Sequence, residues 1–438
     1  MLTPIARLVL ALALGAALSA VASPARAADA EADRLAAMQR QLDQSLRMIE
    51  ALSARVRELE AHQAGAQPEP AAPAAAAAGD ARLETVEQRV QQIEAANAAR
   101  RSDDTSLPIH GFADVGAGTH NPYAPDLKGA NVGNLDFYLT PKLGERTLSL
   151  FELNFEVGTD GGVGVDLERA QIGYQFSDQA TVWFGRFHTP FGYMNTALHH
   201  GSWVSTALRR PKFLLFEDQG GVLPNHTVGA WLTGAVRSGE GKFAYDLYLG
   251  NGQEILDGVL DMRNAGNTHG SPIVGGRVGY RFGGALDGLT FGLHGFVDKV
   301  NDDQLPPNST RVNMLGAYVV YDTDSWEHIA EFYAFDDEDL SGSSGRHQSQ
   351  AGFVQLAYRA PWGVPYLRYE RAALQQSDPF FAQQLSVDAG ASYYRSAVGL
   401  RFDVDLKAAL KFEFANTHTT DRAPNEYNEA LVQYAIRF

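Results

Sequence analysis

One pattern constrains this chain more than any other: along most of its length, apolar and polar residues change places at every step. At the C-terminal stretch Ala430, Val432, Tyr434, Ile436 and Phe438 alternate with Leu431, Gln433, Ala435 and Arg437. Upstream, Leu406, Ala408, Leu410, Phe412 and Phe414 alternate with Lys407, Ala409, Lys411, Glu413 and Ala415. Tyr394, Ser396, Val398, Leu400 and Phe402 alternate with Tyr393, Arg395, Ala397, Gly399 and Arg401 in the same way. A period of two belongs to extended chain, whose successive side chains point to opposite faces of a sheet.

From Leu107 to Phe438 this spacing predicts about 16 strands, the first near 109–117 and the last near 427–438. The connections carry as much information as the strands. Short ones, Gly144-Glu145-Arg146, Ser177-Asp178-Gln179 and Asp403-Val404-Asp405, alternate with long ones at 118–131, 188–226, 251–272, 299–311, 373–391 and 417–426. Tight turns at one end and long loops at the other describe a bacterial outer-membrane barrel. With an even strand count, both barrel ends lie on the short-turn side, which faces the periplasm. Phe438 closing an alternating strand is similar to the signal by which such barrels are recognised for assembly.

Periodicity alone does not say which face meets water, and the other end of the chain bears on that. Arg7, an apolar run from Leu8 to Val21 and the small-residue site Ala25-Arg26-Ala27 read as an export leader over 1–27. Beyond it no stretch reaches the ~20 apolar residues of a membrane helix. Yet the chain holds 43 Gly, 23 Phe and 17 Tyr, which suits a large all-β fold with thinly spread hydrophobicity. Export and strand length favour lipid outside the barrel and water inside. The absence of cysteine excludes a disulfide framework, thiolate metal sites and cysteine nucleophiles. A net charge of -16, made more negative by loss of Arg7 and Arg26, argues against nucleic acid as a partner.

Between leader and barrel the period changes. Leu35, Met38, Leu42, Ser45, Ile49, Leu52, Val56 and Leu59 recur at spacings of three and four, a coiled-coil seam within 28–62. An Ala/Pro-rich linker with Pro68, Pro70 and Pro73 occupies 63–80. Leu83, Val86, Val90 and Ile93 then resume the seam in a second short helix and connector, 81–106.

A barrel of about 16 strands is too wide for its own side chains to fill. With the polar face inward, Asp114, Asp136, Glu152 and Glu156 form an acidic wall on the first strands. Arg277, Arg281, Arg359, Arg368, Arg395, Arg401, Lys407 and Lys411 form a basic wall on the later ones. Such walls set ion preference, unless their members pair with one another. The connection 188–226 is far longer than the rest and carries Phe191, Tyr193, Met194, Trp203, Phe213, Leu214, Leu215 and Phe216, which require burial. It is expected to fold into the barrel and narrow it, with Arg186, His188, His199, His200, Arg209, Arg210 and Lys212 at the constriction. The plainer alternative is that the basic cluster ties the loop to wall carboxylates.

Other motifs weigh less. His188, His199 and His200 lack a placed carboxylate, so no metal site is expected from them. Asp336-Asp337-Glu338-Asp339 lacks the ligand spacing of a calcium loop and reads as a solvated charge run. Ser202 beside His200 is a thin candidate for a hydrolytic pair. No G-x-S-x-G element and no phosphate loop is present, so neither enzymatic activity nor a cofactor is expected.

The run Gly185-Arg186-Phe187-His188-Thr189-Pro190-Phe191-Gly192 resembles the G-[RQ]-x-x-x-P-[FY]-G segment of the phosphate-selective porin superfamily. The coiled coil ahead of the barrel is similar to that of its dicarboxylate-type trimeric porins. The resemblance implies a homotrimer of 16-stranded channels in the outer membrane, each with an inward-folded third loop. The lysine-rich and arginine-ladder pattern of phosphate channels is missing, so solute identity does not follow. The expected role is a passive channel for small hydrophilic solutes, anions among them, embedded in outer-membrane lipid and lipopolysaccharide. The alternative is a structural tether, acting through its periplasmic coiled coil on cell-wall components.

Overall fold

The computed structural model describes residues 109–119, 129–141, 143–157, 162–199, 202–261, 263, 264, 266, 270–385, 390–421 and 425–438. The leader, both predicted helices, the linker between them and His200 lie outside these residues. Sixteen strands make the fold: β1 Ile109–Gly118, β2 Gly129–Leu139, β3 Thr147–Val157, β4 Val163–Ser177, β5 Ala180–His188, β6 His226–Ser238, β7 Gly241–Asn251 and β8 Pro272–Arg281. The second half is β9 Leu289–Asp302, β10 Ser309–Asp322, β11 Trp326–Asp339, β12 Arg346–Tyr358, β13 Val364–Ala373, β14 Tyr393–Asp405, β15 Ala408–Thr419 and β16 Glu426–Arg437. Each is antiparallel to its neighbours in sequence. β1 pairs with β16, Phe112 opposite Arg437, so the sheet is a closed barrel with no free edge.

The turns after even-numbered strands are short, down to residues 178–179, 239–240 and 406–407. Those after odd-numbered strands hold the long connections 119–128, 189–225, 252–271 and 374–392. The expected loop 299–311 reduces to a connection over 303–308, and the run Asp336 to Asp339, expected to be solvated, instead ends strand β11 with Asp337 buried. Cross-strand charge explains it: Glu338 pairs with Arg311, Asp336 lies 3.1 Å from Arg346, and Asp337 accepts a 3.1 Å hydrogen bond from the Asn313 amide.

The alternating faces separate as the period demands. Phe184, Ile172, Phe291, Leu315, Phe332, Leu367, Val398, Phe412 and Phe414 are exposed on the outside. Aromatic pairs gather near the short turns: Tyr174 with Phe176 at 4.9 Å, Tyr280 with Phe282 at 4.9 Å, and Trp326 with Tyr358 at 4.7 Å. An apolar band bordered by aromatics is the surface a bilayer stabilises.

The buried core lies inside the barrel. Phe191, Met194, Phe213 and Leu214 of the long connection pack on Phe296, Met314, Tyr318, Tyr333, Phe335 and Phe353 of the inner wall. Ile255 and Leu260, from a small hairpin in connection 252–271, join the same core. So do Phe380 and Phe381, from the helical turn Pro379–Ala382. Burying a large side chain of this kind is worth ~1.5–3 kcal/mol, which accounts for three connections turning inward.

Candidate functional site

The long connection 189–225 leaves β5 through the sequence run singled out by resemblance, and two of its glycines have steric reasons. Gly185 sits at φ 121°, where a Cβ would come within 2.0 Å of the Ala170 carbonyl on β4. Gly192, at φ 55°, turns the chain into the barrel; a Cβ there would meet the Glu331 carboxylate at 2.3 Å. The neck is laced shut. The Thr189 amide donates to the Asn225 carbonyl (2.9 Å), and Asn195 Nδ2 donates to the carbonyls of both Thr189 and Asn225.

From the neck the loop crosses to the far wall. Glu331 on β11 accepts from the amides of Tyr193 (2.8 Å) and Met194 (2.7 Å), satisfying the donors that open the helical turn Met194–Ala197. Arg277 on β8 donates to the Gly192 carbonyl at 2.8 Å while its other arm pairs with Asp246 at 2.7 Å. Next, Ser202 donates to Asp114 on β1 at 2.9 Å. Lys411 on β15 donates to the carbonyls of Ser202 and Ala207, and Arg401 on β14 to those of Trp203 (2.6 Å) and Ser205 (2.9 Å). Arg368 on β13 donates to the Arg209 carbonyl (2.7 Å), and Glu370 accepts from the Lys212 amide (2.6 Å). β8 and β1 stand nearly opposite each other round the wall, so the loop spans the interior.

The expected basic wall is therefore mostly occupied. Arg368 is 1 % exposed and Lys411 0 %, and both are spent on the loop. Arg368 also lies 2.7 Å from Glu370 and 3.7 Å from Glu413, while Arg395 pairs with Glu429 and Glu413. The members expected near the turns differ further. Lys407 is exposed in the turn 406–407, because β14 runs on to Asp405 and β15 begins at Ala408. Arg281 is exposed beside Asp287, and Arg359 follows the end of β12 and pairs with Asp322 and Glu327.

On the acidic side Asp136 and Glu152 are buried on the inner wall, Asp114 and Glu156 half-buried. Glu152 pairs with Arg169 and lies 3.5 Å from His188 Nε2. His188 and His199 stack at the neck of the loop, ring centroids 3.4 Å apart. Arg186 donates to the Glu168 and Arg263 carbonyls.

Arg210 braces the loop from within. Its guanidinium donates to the carbonyls of Leu214 (2.6 Å) and His199 (2.9 Å) and to Asn195 Oδ1 (3.1 Å). Burial draws it down to about 10, which leaves it cationic at neutral pH. Lys212 is buried, its ammonium 5.7 Å from the Tyr393 ring centroid. Guanidinium groups that keep some exposure include Arg169 of β4 (21 %), Arg277 (18 %) and Arg209 (17 %), the last 2.9 Å from Glu429. Sequence reasoning passed over Arg169, Asp246, Glu331, Glu429 and His226. The four acidic and basic members lie on the inner face of strands read correctly, so strand parity was the available signal.

No family model and no curated protein matches this chain. Solved structures do. An anion-selective porin from Comamonas acidovorans superposes with a TM-score of 0.50 at 14 % identity, over 76 % of this chain and 98 % of its own. A loop-L8-deleted OmpT of Vibrio cholerae gives 0.49 at 11 % identity, over 76 % and 99 %. The outer-membrane channel DcaP of Acinetobacter baumannii gives 0.47 at 12 %, over 75 % and 96 %. At 14 % identity the first of these likenesses concerns the fold: an all-β, closed antiparallel barrel of the porin type.

Proposed function

We propose that this chain is a passive diffusion channel of the outer membrane, narrowed by the connection 189–225 and permeable to small hydrophilic solutes. The observation that carries the reading is the loop itself. It lies inside a closed 16-stranded barrel and is hydrogen-bonded to both Arg277 and Asp114, on opposite sides of the wall. A barrel that wide leaves space its own side chains do not fill, and a loop laced across it acts as a sieve. There is no turnover in this scheme: selection is by size and by the local potential.

A mild anion preference is part of this reading, supported by the exposed parts of Arg169, Arg209 and Arg277 and not by the buried bases. Each of the three also pairs with a carboxylate, Glu152, Glu429 and Asp246 in turn. The porin-type likeness includes one barrel described as anion-selective, which agrees in direction. Three chains joined through the seam at 28–62, with that coil in the periplasm and the long loops toward lipopolysaccharide, complete the reading. The seam also supports a tethering role. Deleting 31–101 separates the two: solute flux that persists while envelope integrity falls assigns tethering to the coil. The channel itself is tested by reversal potentials of the purified chain in planar bilayers under a KCl gradient. Ohmic steps with a reversal potential displaced toward that of chloride are expected. Absence of ohmic steps, or displacement toward potassium, overturns the reading.

A further inference from the structure

At the neck of the loop four side chains from four different elements converge. Glu168 of β4, His188 of β5, His199 of the loop and His226 of β6 are all buried, and one potential ligand atom from each lies within 4.8 Å of all the others. His199 Nε2 is 3.0 Å from His226 Nε2, and that same His226 nitrogen is 2.6 Å from Glu168 Oε2. We propose that this cluster is a binding site for a first-row transition-metal cation of the zinc type, which pins the loop to β4, β5 and β6.

The hydrogen bonds behind the rings point the same way. His199 Nδ1 lies 2.8 Å from the Asn195 carbonyl, an atom that only accepts, so the ring proton is at Nδ1. In neutral His199 the lone pair is then at Nε2, aimed at the cluster. His226 Nε2 holds at most one proton, yet faces two acceptors, His199 Nε2 and Glu168 Oε2. A cation at the centre satisfies all three atoms at once. Ligand atoms around tetrahedral zinc stand about 3.3 Å apart, given bonds of about 2.0–2.1 Å. The 3.0 Å and 2.6 Å separations therefore need a small outward shift, and His188, stacked on His199 at 3.4 Å, tilts to turn a ring nitrogen toward the same point.

Each imidazole also has a polar group behind it: the Asn195 carbonyl for His199, the Glu217 carboxylate 3.8 Å from His226 Nδ1, and the Glu152 carboxylate 3.5 Å from His188 Nε2. Outer-shell acceptors of this kind orient histidine ligands and raise their basicity. Three imidazoles and one carboxylate suit zinc, nickel, cobalt or copper; calcium and magnesium call for oxygen ligands. Four protein ligands close the coordination shell, which makes the site structural. The fourth sequence position, His226, and the carboxylate, Glu168, come from strands distant in sequence. Glu168 turns inward beside Arg169 because the β3–β4 register slips between Glu152 and Leu153.

The test uses the purified full-length chain in detergent, stripped with chelator and titrated with Zn2+ alone. Binding is read by elemental analysis and by competition with a chromogenic chelator, on barrel shown folded by heat-modifiable electrophoretic mobility. One zinc per chain is expected, together with a raised unfolding temperature. His226→Ala and Glu168→Gln should each weaken binding by more than about 100-fold, beyond the usual effect of losing an outer-shell partner. Glu217→Gln keeps all four ligands and should weaken it roughly 10- to 100-fold. His328→Ala, on β11, should leave it unchanged. Zinc that fails to bind stoichiometrically, or that binds folded His226→Ala as tightly as the parent, overturns the proposal.

Discussion

The two halves of the barrel's inner wall are built differently. On β7 to β12 the inward positions include Tyr248, Ile273, Phe296, Met314, Tyr318, Ile329, Tyr333 and Phe353. On β1 to β4 they include Asp114, Asp136, Glu152, Asn154 and Gln171. The apolar half draws in Phe191, Met194, Phe213 and Leu214, so the connection 189–225 folds against it by ordinary hydrophobic burial. The polar half offers hydrogen bonds instead, such as the one from Ser202 to Asp114 that reaches the loop. A loop held by packing on one side and by polar contacts on the other partitions the interior rather than filling it evenly.

Substitutions along the loop's anchors, on the two halves and on β13 between them, should therefore differ in kind. Arg368→Met takes one of two bases from the buried Glu370 and Glu413, leaving them Arg395 alone, and releases the Arg209 carbonyl. It should lower stability by about 3–5 kcal/mol in denaturant titrations of the folded barrel, with little change in reversal potential. Phe213→Ala removes a ring packed 5.5 Å from Tyr333 and 6.0 Å from Phe335, at a similar cost of about 3–5 kcal/mol. The same titration should register Glu331→Gln at about 2–3 kcal/mol, since the Tyr193 and Met194 amides lose a charged acceptor. On the polar half, Asp114→Asn should cost only about 1 kcal/mol, because the amide oxygen still accepts from Ser202. Arg209→Ala should shift the reversal potential away from chloride. Lys407→Ala, exposed in its turn, should change stability by less than about 0.5 kcal/mol and selectivity not at all. Equal losses for Glu331→Gln and Asp114→Asn would erase the distinction between the halves.

Much of this barrel can be read in the residues. The alternation around Leu410, Phe412 and Phe414 gives both the strand and its outward face, because parity is a local property. The aromatic content of 188–226 announces a loop that must bury itself. What covers a given inward residue is not local. Phe296 and Asp298 share a face of β9 and both are buried, because chain from distant connections covers them; the Gln253 amide of 252–271 donates to Asp298 at 3.0 Å. Arg368 and Lys411 likewise read as pore-lining charges. Their acceptors are carbonyls at 202, 207 and 209, far away in sequence. The inward turn of Glu168 depends on a register slip between two strands, which no period reports.

Single-channel conductance of the chain against a version lacking residues 192–223 tests the central claim most directly. A loop laced across the lumen predicts small ohmic steps in the parent and steps several-fold larger in the deletion, with heat-modifiable mobility retained. Equal conductance in two folded barrels would mean that the loop does not narrow the path, and would contradict the account.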